Sequence, residues 1–459
     1  MDAMAFEFFN RLIHKQKQTS EAGTPFGVGA LVNGRYRLKA EIGRGGMGIV
    51  YRAHDLQDDR DVAIKVMDLE KANDLTYQQF LREAEITARF HHPHIVAIYE
   101  TGFVDRGKQE PLPYIVMEWV QGTSLDRLPR LTFLKILDIG KQICDALAHA
   151  HDQGFVYRDL KPGNILIERR GFRYFIKLLD FGLARPRGTT YLEQESSLAG
   201  SFFYLAPELI AGQAADVPSD LYALGATLYE MITGRVPFSD FDEKTILAQH
   251  LEASVAPPSQ SREDIPPALE AIILRLLAKR PKDRFASARE VYDALEQVSL
   301  DRQRGNVRGN LPPRQSTELL GHEKEIEQII ELLELNRLVT LQGDDGTWSL
   351  AVGMRLADQF LDGVWQVEFE SLSDPTRVPE TVAAMLGFYP DPNRSLAVSL
   401  IGGLHEKNLL LLLDQCDHLL GACAQLAETI LNSCPDVWIL VTSQQPLNVP
   451  SEKYYRLTR

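Results

Sequence analysis

The sequence has few cysteines and no long uninterrupted apolar segment. Its 459 residues include four cysteines, Cys144, Cys416, Cys423 and Cys434, whose spacing matches neither a metal site nor a disulfide framework. This pattern favours a reducing environment, and we expect a cytoplasmic protein. No apolar run reaches the roughly 18 residues that a transmembrane helix needs, so we expect no membrane span. The apolar run Leu409–Leu413 is much shorter and predicts a buried strand.

The chain also lacks an excess of positive charge. Its 49 Lys and Arg residues face 63 Asp and Glu residues, for a net charge of −14. Nucleic acids and anionic membranes bind basic surfaces, so this balance argues against both as general partners. A hydrophobic content of 44% and a charged content of 24% are typical of globular proteins, and the length predicts two or three domains.

The segment Tyr157–Leu166, which Asp180 follows, contains the residue types that phosphoryl transfer requires. Asp159 can accept the proton of an attacking hydroxyl group, and Lys161 can neutralise charge on the transferred group. Asn164 and Asp180 offer the oxygen ligands that Mg²⁺ prefers. These residues therefore predict a catalytic and magnesium-binding segment.

A glycine-rich segment lies upstream and predicts contact with phosphates. It consists of Ile42, Gly43, Arg44, Gly45, Gly46, Met47, Gly48, Ile49 and Val50. Glycines let backbone amides approach phosphates without a Cβ clash, although this pattern alone also fits a dinucleotide site or a hairpin turn. The apolar strand Val62–Lys65 follows it, and in the protein kinases that the chain resembles, as set out below, a lysine at the place of Lys65 holds the α- and β-phosphates of ATP.

In their order and spacing, these segments resemble those of bacterial eukaryotic-like (Hanks-type) serine/threonine protein kinases, over residues 37–298. The segments Arg44–Gly48 and Tyr114–Glu118 are similar to bacterial members. One residue departs from the family pattern, because Tyr157 stands where the family usually has His. That position mainly packs and hydrogen-bonds within its loop, so we expect activity to survive. The resemblance implies a bilobal α+β kinase fold, with ATP and Mg²⁺ as cofactors.

The resemblance also implies how ATP is held. A helix from about Tyr77 to Phe90 would bring Glu83 to Lys65, with Glu85 as the alternative partner. Met117 would be the gatekeeper, and the hinge from Glu118 to Val120 would hydrogen-bond adenine through its backbone. The apolar walls of the adenine pocket would be Ile42, Val50, Ala63 and Leu166.

Further downstream, the resemblance implies an activation loop between Asp180 and Glu208. Its candidate phosphorylation sites are Thr189, Thr190, Ser196 and Ser197. Arg158 would receive the phosphate, and Ser201 would take the place of a threonine that shapes the substrate floor. Glu208 would pair with Arg284, and Asp220 would anchor the catalytic loop from a buried helix. Lys161, with the Pro-Gly after it, favours serine/threonine specificity.

Two segments allow weaker alternatives. Residues 1–36 contain an apolar-aromatic patch that fits a docking or membrane-surface helix, but a frayed helix leading into a linker is favoured. His91, His92 and His94 suggest a metal site, but the His92-Pro93 turn that closes the preceding helix in kinases is favoured.

The last third of the chain changes pattern after a polar, basic linker at residues 299–317. Strand and helix patterns then alternate over residues 318–459, which predicts an α/β domain with a parallel sheet and helices on both faces. The segments Leu412–Leu420 and Val441–Leu447 resemble the nucleotide-binding core of NB-ARC signalling ATPases. The resemblance implies a P-loop-NTPase-like domain.

This second domain lacks residues that ATP hydrolysis needs. Where a phosphate loop should follow the first strand, the chain has Gly343–Leu350, which contains no lysine and places Asp344 and Asp345 beside the phosphates. Gln444 stands where the family has an arginine, although the acid Asp414 is retained. We expect a degenerate domain that binds regulatory protein partners.

These observations favour a serine/threonine kinase that transfers the γ-phosphate of ATP to hydroxyl groups of proteins. The alternative is a pseudokinase scaffold that binds nucleotide and partners without phosphoryl transfer, for which Tyr157 is the only support. A third hypothesis, in which residues 318–459 are the working NTPase, fails on the degenerate phosphate loop.

Overall fold

The computed structural model places most of the chain in three structural units. It describes residues 26–44, 48–67, 80, 86–106, 109–128, 131, 133–179, 184–188, 201–262, 265–303, 309–312, 322–344, 346–360, 362–388, 396–405 and 407–457.

The first unit is a six-stranded antiparallel sheet in the order β1-β2-β3-β4-β6-β5. Its strands are β1 (Leu31–Val32), β2 (Tyr36–Arg44), β3 (Gly48–Asp55), β4 (Arg60–Met67), β5 (Ile98–Arg106) and β6 (Gln109–Glu118). Ile49, Tyr51, Ile64 and Val116 are fully or almost fully buried in one core with Phe80. Apolar residues on alternate positions of β3 produce this core face.

The second unit is mainly helical. Its helices are α1 (Phe133–Asp152), α2 (Pro207–Ile210), α3 (Val217–Thr233), α4 (Glu243–Glu252), α5 (Pro267–Leu276) and α6 (Ala288–Gln303). Helix α3 is buried along most of its length, starts where the Asp216 side chain accepts a hydrogen bond from the Val217 amide, and ends at Gly234 with φ of 73°. Small antiparallel ladders join β7 (Thr123–Ser124), β9 (Ile165–Arg170) and β10 (Arg173–Leu178), and also β8 (Phe155–Val156) and β11 (Arg185–Pro186).

The third unit, the C-terminal region (described residues from 309 to 457), contains a five-stranded sheet. Its strands are β12 (Leu338–Gln342), β13 (Val364–Glu368), β14 (Leu409–Asp414), β15 (Val437–Thr442) and β16 (Glu452–Arg456). All pairings are parallel, in the order β13-β14-β15-β12-β16. Its helices are α7 (Glu323–Leu335), α8 (Thr347–Leu356), α9 (Val378–Met385), α10 (Leu396–Leu404) and α11 (Leu420–Ser433).

Strand β14 shows why helices cover both faces of this sheet. Leu409, Leu411 and Leu413 belong to one apolar core, whereas Leu410 and Leu412 belong to another. Successive side chains of a strand point to opposite faces, so the two cores lie on the two sides of the sheet. The predicted parallel sheet with helices on both faces is therefore confirmed.

The expected linker at residues 299–317 differs from a simple solvated connection. Helix α6 continues to Gln303, and residues 309–312 lie against the edge strand β13. The Asn310 side chain donates a 2.7 Å hydrogen bond to the Gln366 carbonyl and accepts one of 2.7 Å from its amide. Leu311 is buried in one of the two cores. The predicted polar linker therefore contains at least one residue, Leu311, that packs into the core of the C-terminal region.

The described part of the chain contains no candidate transmembrane helix. None of its helices combines the length and the apolar character that crossing a bilayer requires.

Candidate active site

Two predicted catalytic residues, Asp159 and Lys161, meet the predicted metal ligand Asn164 in the loop between β8 and β9. Lys161 Nζ donates hydrogen bonds to both carboxylate oxygens of Asp159, at 2.9 and 2.8 Å. Asn164 Nδ2 donates to Asp159 Oδ2 at 2.7 Å and to the Asp159 carbonyl at 2.9 Å. Both hydrogen bonds use Nδ2 of Asn164, so the side-chain oxygen takes part in neither of them. These carboxylate and amide oxygens are ligands of the type that suits Mg²⁺.

Asp220 on α3, the residue expected to anchor this loop, contacts its backbone. Asp220 is 1% exposed, and its carboxylate accepts 2.7 Å hydrogen bonds from the backbone amides of Tyr157 and Arg158. Arg158 has φ of 73°, a left-handed conformation that is costly for a residue other than glycine. The two hydrogen bonds that Asp220 accepts from these adjacent amides hold this conformation in place. The predicted anchoring role of Asp220 is confirmed.

Tyr157, the departure from the family pattern, packs in the core and connects two functional segments. Its side chain is fully buried, and its hydroxyl group donates a hydrogen bond to the carbonyl of Leu179. Leu179 in turn donates its amide to the Asn164 carbonyl at 2.9 Å. Asp180 follows Leu179 and lies outside the described residues. Tyr157 is therefore hydrogen-bonded to Leu179, the residue whose amide contacts the backbone of Asn164.

Strands β3 and β4 place the expected phosphate-binding residues next to each other. Val50 pairs with Lys65 across the two strands, and Lys65 is 8% exposed. A Cβ added to Gly48 would lie 2.5 Å from the Val66 carbonyl oxygen, so only glycine allows this close strand approach. Gly45, Gly46 and Met47 lie outside the described residues, as do Glu83 and its alternative Glu85. Phe80, Ile86 and Thr87 are helical, in agreement with the expected helix.

The described residues expected to surround adenine lie on β2, β3, β4, β6 and β9 and in the segment after β6. Ala63 pairs with Met117, the expected gatekeeper, and Val62 pairs with Glu118. Ala63 and Val120 are buried, Val50 and Leu166 are half-buried, and Ile42 is 46% exposed. Of the strands that carry these apolar residues, β4 pairs directly with β6, which ends at the hinge residue Glu118.

Sequence reasoning missed two contacts that hold the hinge and the catalytic loop. Lys177 Nζ lies 2.7 Å from Glu118 Oε2, which ties the hinge to β10. His151 Nε2 lies 2.8 Å from Asp220 Oδ2, so the anchoring carboxylate has a side-chain partner besides the two amides. His151 lies in the last turn of an amphipathic helix and carries no motif, so only the position of α1 beside α3 reveals this role.

The predicted pair between Glu208 and Arg284 is confirmed. Both side chains are buried, and the guanidinium group binds both carboxylate oxygens at 2.7 and 2.8 Å. Ser219 Oγ also donates to Glu208 at 2.8 Å. A bidentate buried pair of this kind fixes the start of α2 against the base of the helical unit.

The histidines at residues 91–94 serve as packing and hydrogen-bonding groups. His92 Nε2 lies 3.2 Å from Asp145 Oδ2, and His94 Nδ1 lies 3.2 Å from the Ile176 carbonyl. Burial lowers the pKa of both imidazoles. Across the described residues, no cluster of His, Cys, Asp and Glu has the arrangement of a metal site.

In the C-terminal region, a carboxylate lies against backbone amides at the start of a helix. Asp344 follows β12 and is 8% exposed, and its oxygens accept hydrogen bonds of 2.8–3.1 Å from the amides of Gly346, Trp348 and Ser349 at the start of α8. Ser349 Oγ donates to Asp414 at 2.8 Å. Burial, together with the nearby Asp344 charge, raises the pKa of Asp414 to about 6. The chain thus supplies its own anion to these amides.

Comparison with known proteins agrees with this geometry. The family model for the protein kinase domain matches residues 36–295. The chain belongs to this family. It is 39% identical over 269 residues to the serine/threonine-protein kinase PrkC of Bacillus subtilis, covering 58% of this chain and 40% of that protein. It is 38% identical over 271 residues to the serine/threonine-protein kinase PknB of Mycolicibacterium smegmatis, covering 58% of this chain and 43% of that protein.

Among solved structures, the kinase domain of Mycobacterium tuberculosis PknI is 28% identical, with a TM-score of 0.45, and covers 59% of this chain and 99% of that chain. The family assignment rests on the sequence matches. These confirm the predicted bacterial Hanks-type kinase domain, and with it the bilobal fold. The chain spans less than half the length of the two curated relatives above.

Proposed function

We propose that this protein is a serine/threonine kinase that transfers the γ-phosphate of ATP to hydroxyl groups of other proteins in intracellular signalling. The observation that carries this proposal is the Asp159–Lys161–Asn164 cluster, held by Asp220. A cytoplasmic location fits the four cysteines, all of which are buried and free.

Each residue of this cluster has a separate role in the proposed reaction. Asp159 orients the acceptor hydroxyl group and takes its proton, and Lys161 stabilises charge on the transferred group. Asn164 and Asp180 would hold Mg²⁺, which neutralises charge on the phosphates when it is bound. Lys65, paired with Glu83, would position the α- and β-phosphates. Positioning and charge neutralisation supply most of the catalysis in such enzymes.

We assign ATP binding to the cleft between the sheet unit and the helical unit. The phosphates would lie under the glycine-rich segment from Ile42 to Val50. Adenine would contact the backbone of Glu118 and Val120, beside Met117. Ala63 and Leu166 would pack on the two faces of the ring. The buried position of Ala63 and the half-buried position of Leu166 support this assignment.

The pseudokinase alternative depends on Tyr157, and the contacts of this residue weigh against it. Tyr157 is buried and bonded to the Leu179 carbonyl, and the amide and carboxylate groups of the cluster keep their mutual contacts beside it. A scaffold without phosphoryl transfer has no need for this arrangement.

For residues 318–459 we propose a P-loop-NTPase-like domain that binds no nucleotide, joined to the kinase domain (37–298) by residues 299–317. The strand order β13-β14-β15-β12-β16 supports the first part of this proposal. The Asp344 carboxylate supports the second, because it fills the amide cradle and repels a polyphosphate. Such a domain would regulate the kinase or bind protein partners.

This proposal predicts that the full chain binds one ATP and not two. Titration calorimetry of the Asp159→Asn variant with Mg·ATP should give one site per chain, because this substitution retains the kinase pocket. The Lys65→Met variant should bind ATP more weakly at that same site and show no other. A second site in either variant would contradict the proposed degenerate domain.

The proposed activity is tested by incubating the full chain with radiolabelled ATP and Mg²⁺. We expect label on serine or threonine, and phosphopeptide mapping should find it on at least one of Thr189, Thr190, Ser196 and Ser197, which lie outside the described residues. Phosphate there would pair with Arg158 and order the loop. If the full chain incorporates no label into itself or into casein, the kinase proposal is wrong. If alanine at all four positions leaves activity unchanged, the loop is not the activating site.

A further inference from the structure

The hairpin formed by β9 and β10 connects the candidate magnesium ligands to the C-terminal region. It begins at Ile165, directly after Asn164, and ends at Leu178, two residues before Asp180. Its tip, Gly171-Phe172, lies not in solvent but in a core of the C-terminal region. One end of the hairpin therefore belongs to the second, mainly helical unit, and its tip belongs to the C-terminal region.

Phe172 is the main apolar contact at this tip. It is 1% exposed and belongs to the core built from α7, α8 and strands of the parallel sheet. Its ring centroid lies 5.6 Å from that of Phe360 and 6.2 Å from that of Trp438, the latter in an edge-to-face arrangement. An aromatic cluster of this kind gives a firm and directional contact.

Backbone fit and charge reinforce the contact. Gly171 has φ of 60°, and a Cβ there would lie 1.9 Å from the Glu334 carbonyl oxygen at the end of α7. Arg173 forms an ion pair with Glu334, and Arg169 forms one with Asp436. The Arg169 guanidinium group also lies 5.2 Å above the Trp438 ring.

The junction excludes water from groups of both units. Burial, with a contribution from the Arg169 charge, lowers the pKa of Lys135 on α1 to about 8. Burial also raises the pKa of the Glu334 carboxyl group. These shifts agree with a packed interface and not with a loose surface contact.

At its other end, the hairpin adjoins Asn164 in the candidate active-site loop and is held there by backbone hydrogen bonds. Ile165 pairs with Leu178, and the Leu179 amide donates to the Asn164 carbonyl at 2.9 Å. The Leu178 carbonyl accepts a 3.0 Å hydrogen bond from the Val96 amide. Two strands of six residues span about 20 Å, so an antiparallel ladder joins the tip to these ends without a flexible segment.

We infer that the C-terminal region holds the β9–β10 hairpin by its tip and thereby positions the magnesium-binding ends of the hairpin, which makes Phe172 a positioning residue for phosphoryl transfer. This inference rests on the proposed kinase function of the same site. A partner or signal that displaces the tip would act on catalysis through this ladder. Residues that orient metal ligands typically change metal affinity when they are altered, although they do not touch the metal.

The first test compares Phe172→Ala with Phe241→Ala in the full chain. Phe241 is 91% exposed, so the control makes the same chemical change away from any core. We expect Phe172→Ala to raise the Mg²⁺ concentration for half-maximal autophosphorylation on the order of tenfold, and Phe241→Ala to leave it unchanged. A purely structural role of Phe172 would lower the amount of active protein without shifting the Mg²⁺ dependence.

A second measurement does not depend on activity. Hydrogen exchange of peptides that cover Asp159–Leu166 and Tyr174–Leu179 should become faster in Phe172→Ala and not in Phe241→Ala. If hydrogen exchange at these peptides changes in Phe172→Ala but the wild-type chain transfers no phosphate, the kinase proposal fails. The structural coupling between the hairpin tip and its ends is then still supported. If the wild-type chain is active and Phe172→Ala alters neither exchange nor the Mg²⁺ dependence, the inference is overturned.

Exchanging the charges of Arg173 and Glu334 tests the same contact without removing the buried Phe172 side chain, whose loss could unfold the protein. Arg173→Glu should reproduce the effect of Phe172→Ala, because it sets two carboxylates against each other at the junction. Adding Glu334→Arg should restore the Mg²⁺ dependence toward the wild-type value. Rescue supports the contact between hairpin and C-terminal region, whereas equal behaviour of Arg173→Glu and the wild type would refute it.

Discussion

Replacing Asp159 with asparagine should lower kcat by about 10²–10⁴-fold, the usual contribution of a general base. Asparagine keeps the shape of the side chain and can still contact Lys161 and Asn164, so the loop should remain folded. It cannot take the proton of the acceptor hydroxyl group. The affinity for ATP should therefore stay close to that of the wild-type chain, and steady-state kinetics with calorimetry can measure both quantities.

The matched control for this variant is Asp152→Asn. Asp152 ends α1, and its side chain is 73% exposed with a long 3.6 Å contact to Arg289. The same chemical change at this surface position should leave kcat unchanged. Wild-type turnover by Asp159→Asn would show that Asp159 is not the proton acceptor, and the assignment of the catalytic loop would fail.

Replacing Arg284 with alanine should reduce the free energy of unfolding of the helical unit by about 3–5 kcal/mol. The substitution leaves Glu208 buried without the guanidinium group that binds both of its oxygens. Arg284 also donates to the backbone carbonyls of Ala278, Lys279 and Pro218, which would lose these partners too. Denaturant unfolding, monitored on the purified full chain, measures this loss.

Arg280→Ala is the control at the same turn. Arg280 is 71% exposed and pairs with Asp283 three residues away, and exposed pairs contribute only about 0–1 kcal/mol. If Arg284→Ala destabilised the chain no more than Arg280→Ala, the buried pair would not hold the fold together. Glu208→Gln should show an intermediate loss, because a neutral amide can keep one of the two hydrogen bonds.

The sequence by itself determined the local elements and the chemistry of the kinase site. Asp159, Lys161 and Asn164 lie within one short segment, and their residue types together with the resemblance to protein kinases imply their roles. Strand β14 was predictable for a different reason. Five consecutive leucines bounded by Asn408 and Asp414 are typical of a strand that is buried on both faces, and the structure places one there.

The tertiary structure alone decided what distant residues do for one another. Asp344 looked in sequence like a charge that repels phosphate, whereas the fold shows its carboxylate accepting three amide hydrogen bonds at the start of α8. His151 carries no motif, yet it contacts Asp220 because α1 lies beside α3. Local patterns encode periodicity and turn chemistry, and they do not specify which surfaces will meet.

The β9–β10 hairpin shows this limit most clearly. In sequence, Arg169–Arg173 is a basic turn with a glycine and one aromatic residue, which fits an exposed loop tip. In the structure, Phe172 is buried between Phe360 and Trp438, residues almost 190 and more than 260 positions further along the chain. A single apolar side chain at a turn gains stability only from a partner surface. That surface exists only once the C-terminal sheet and its helices have packed, so no local reading of the sequence could supply it.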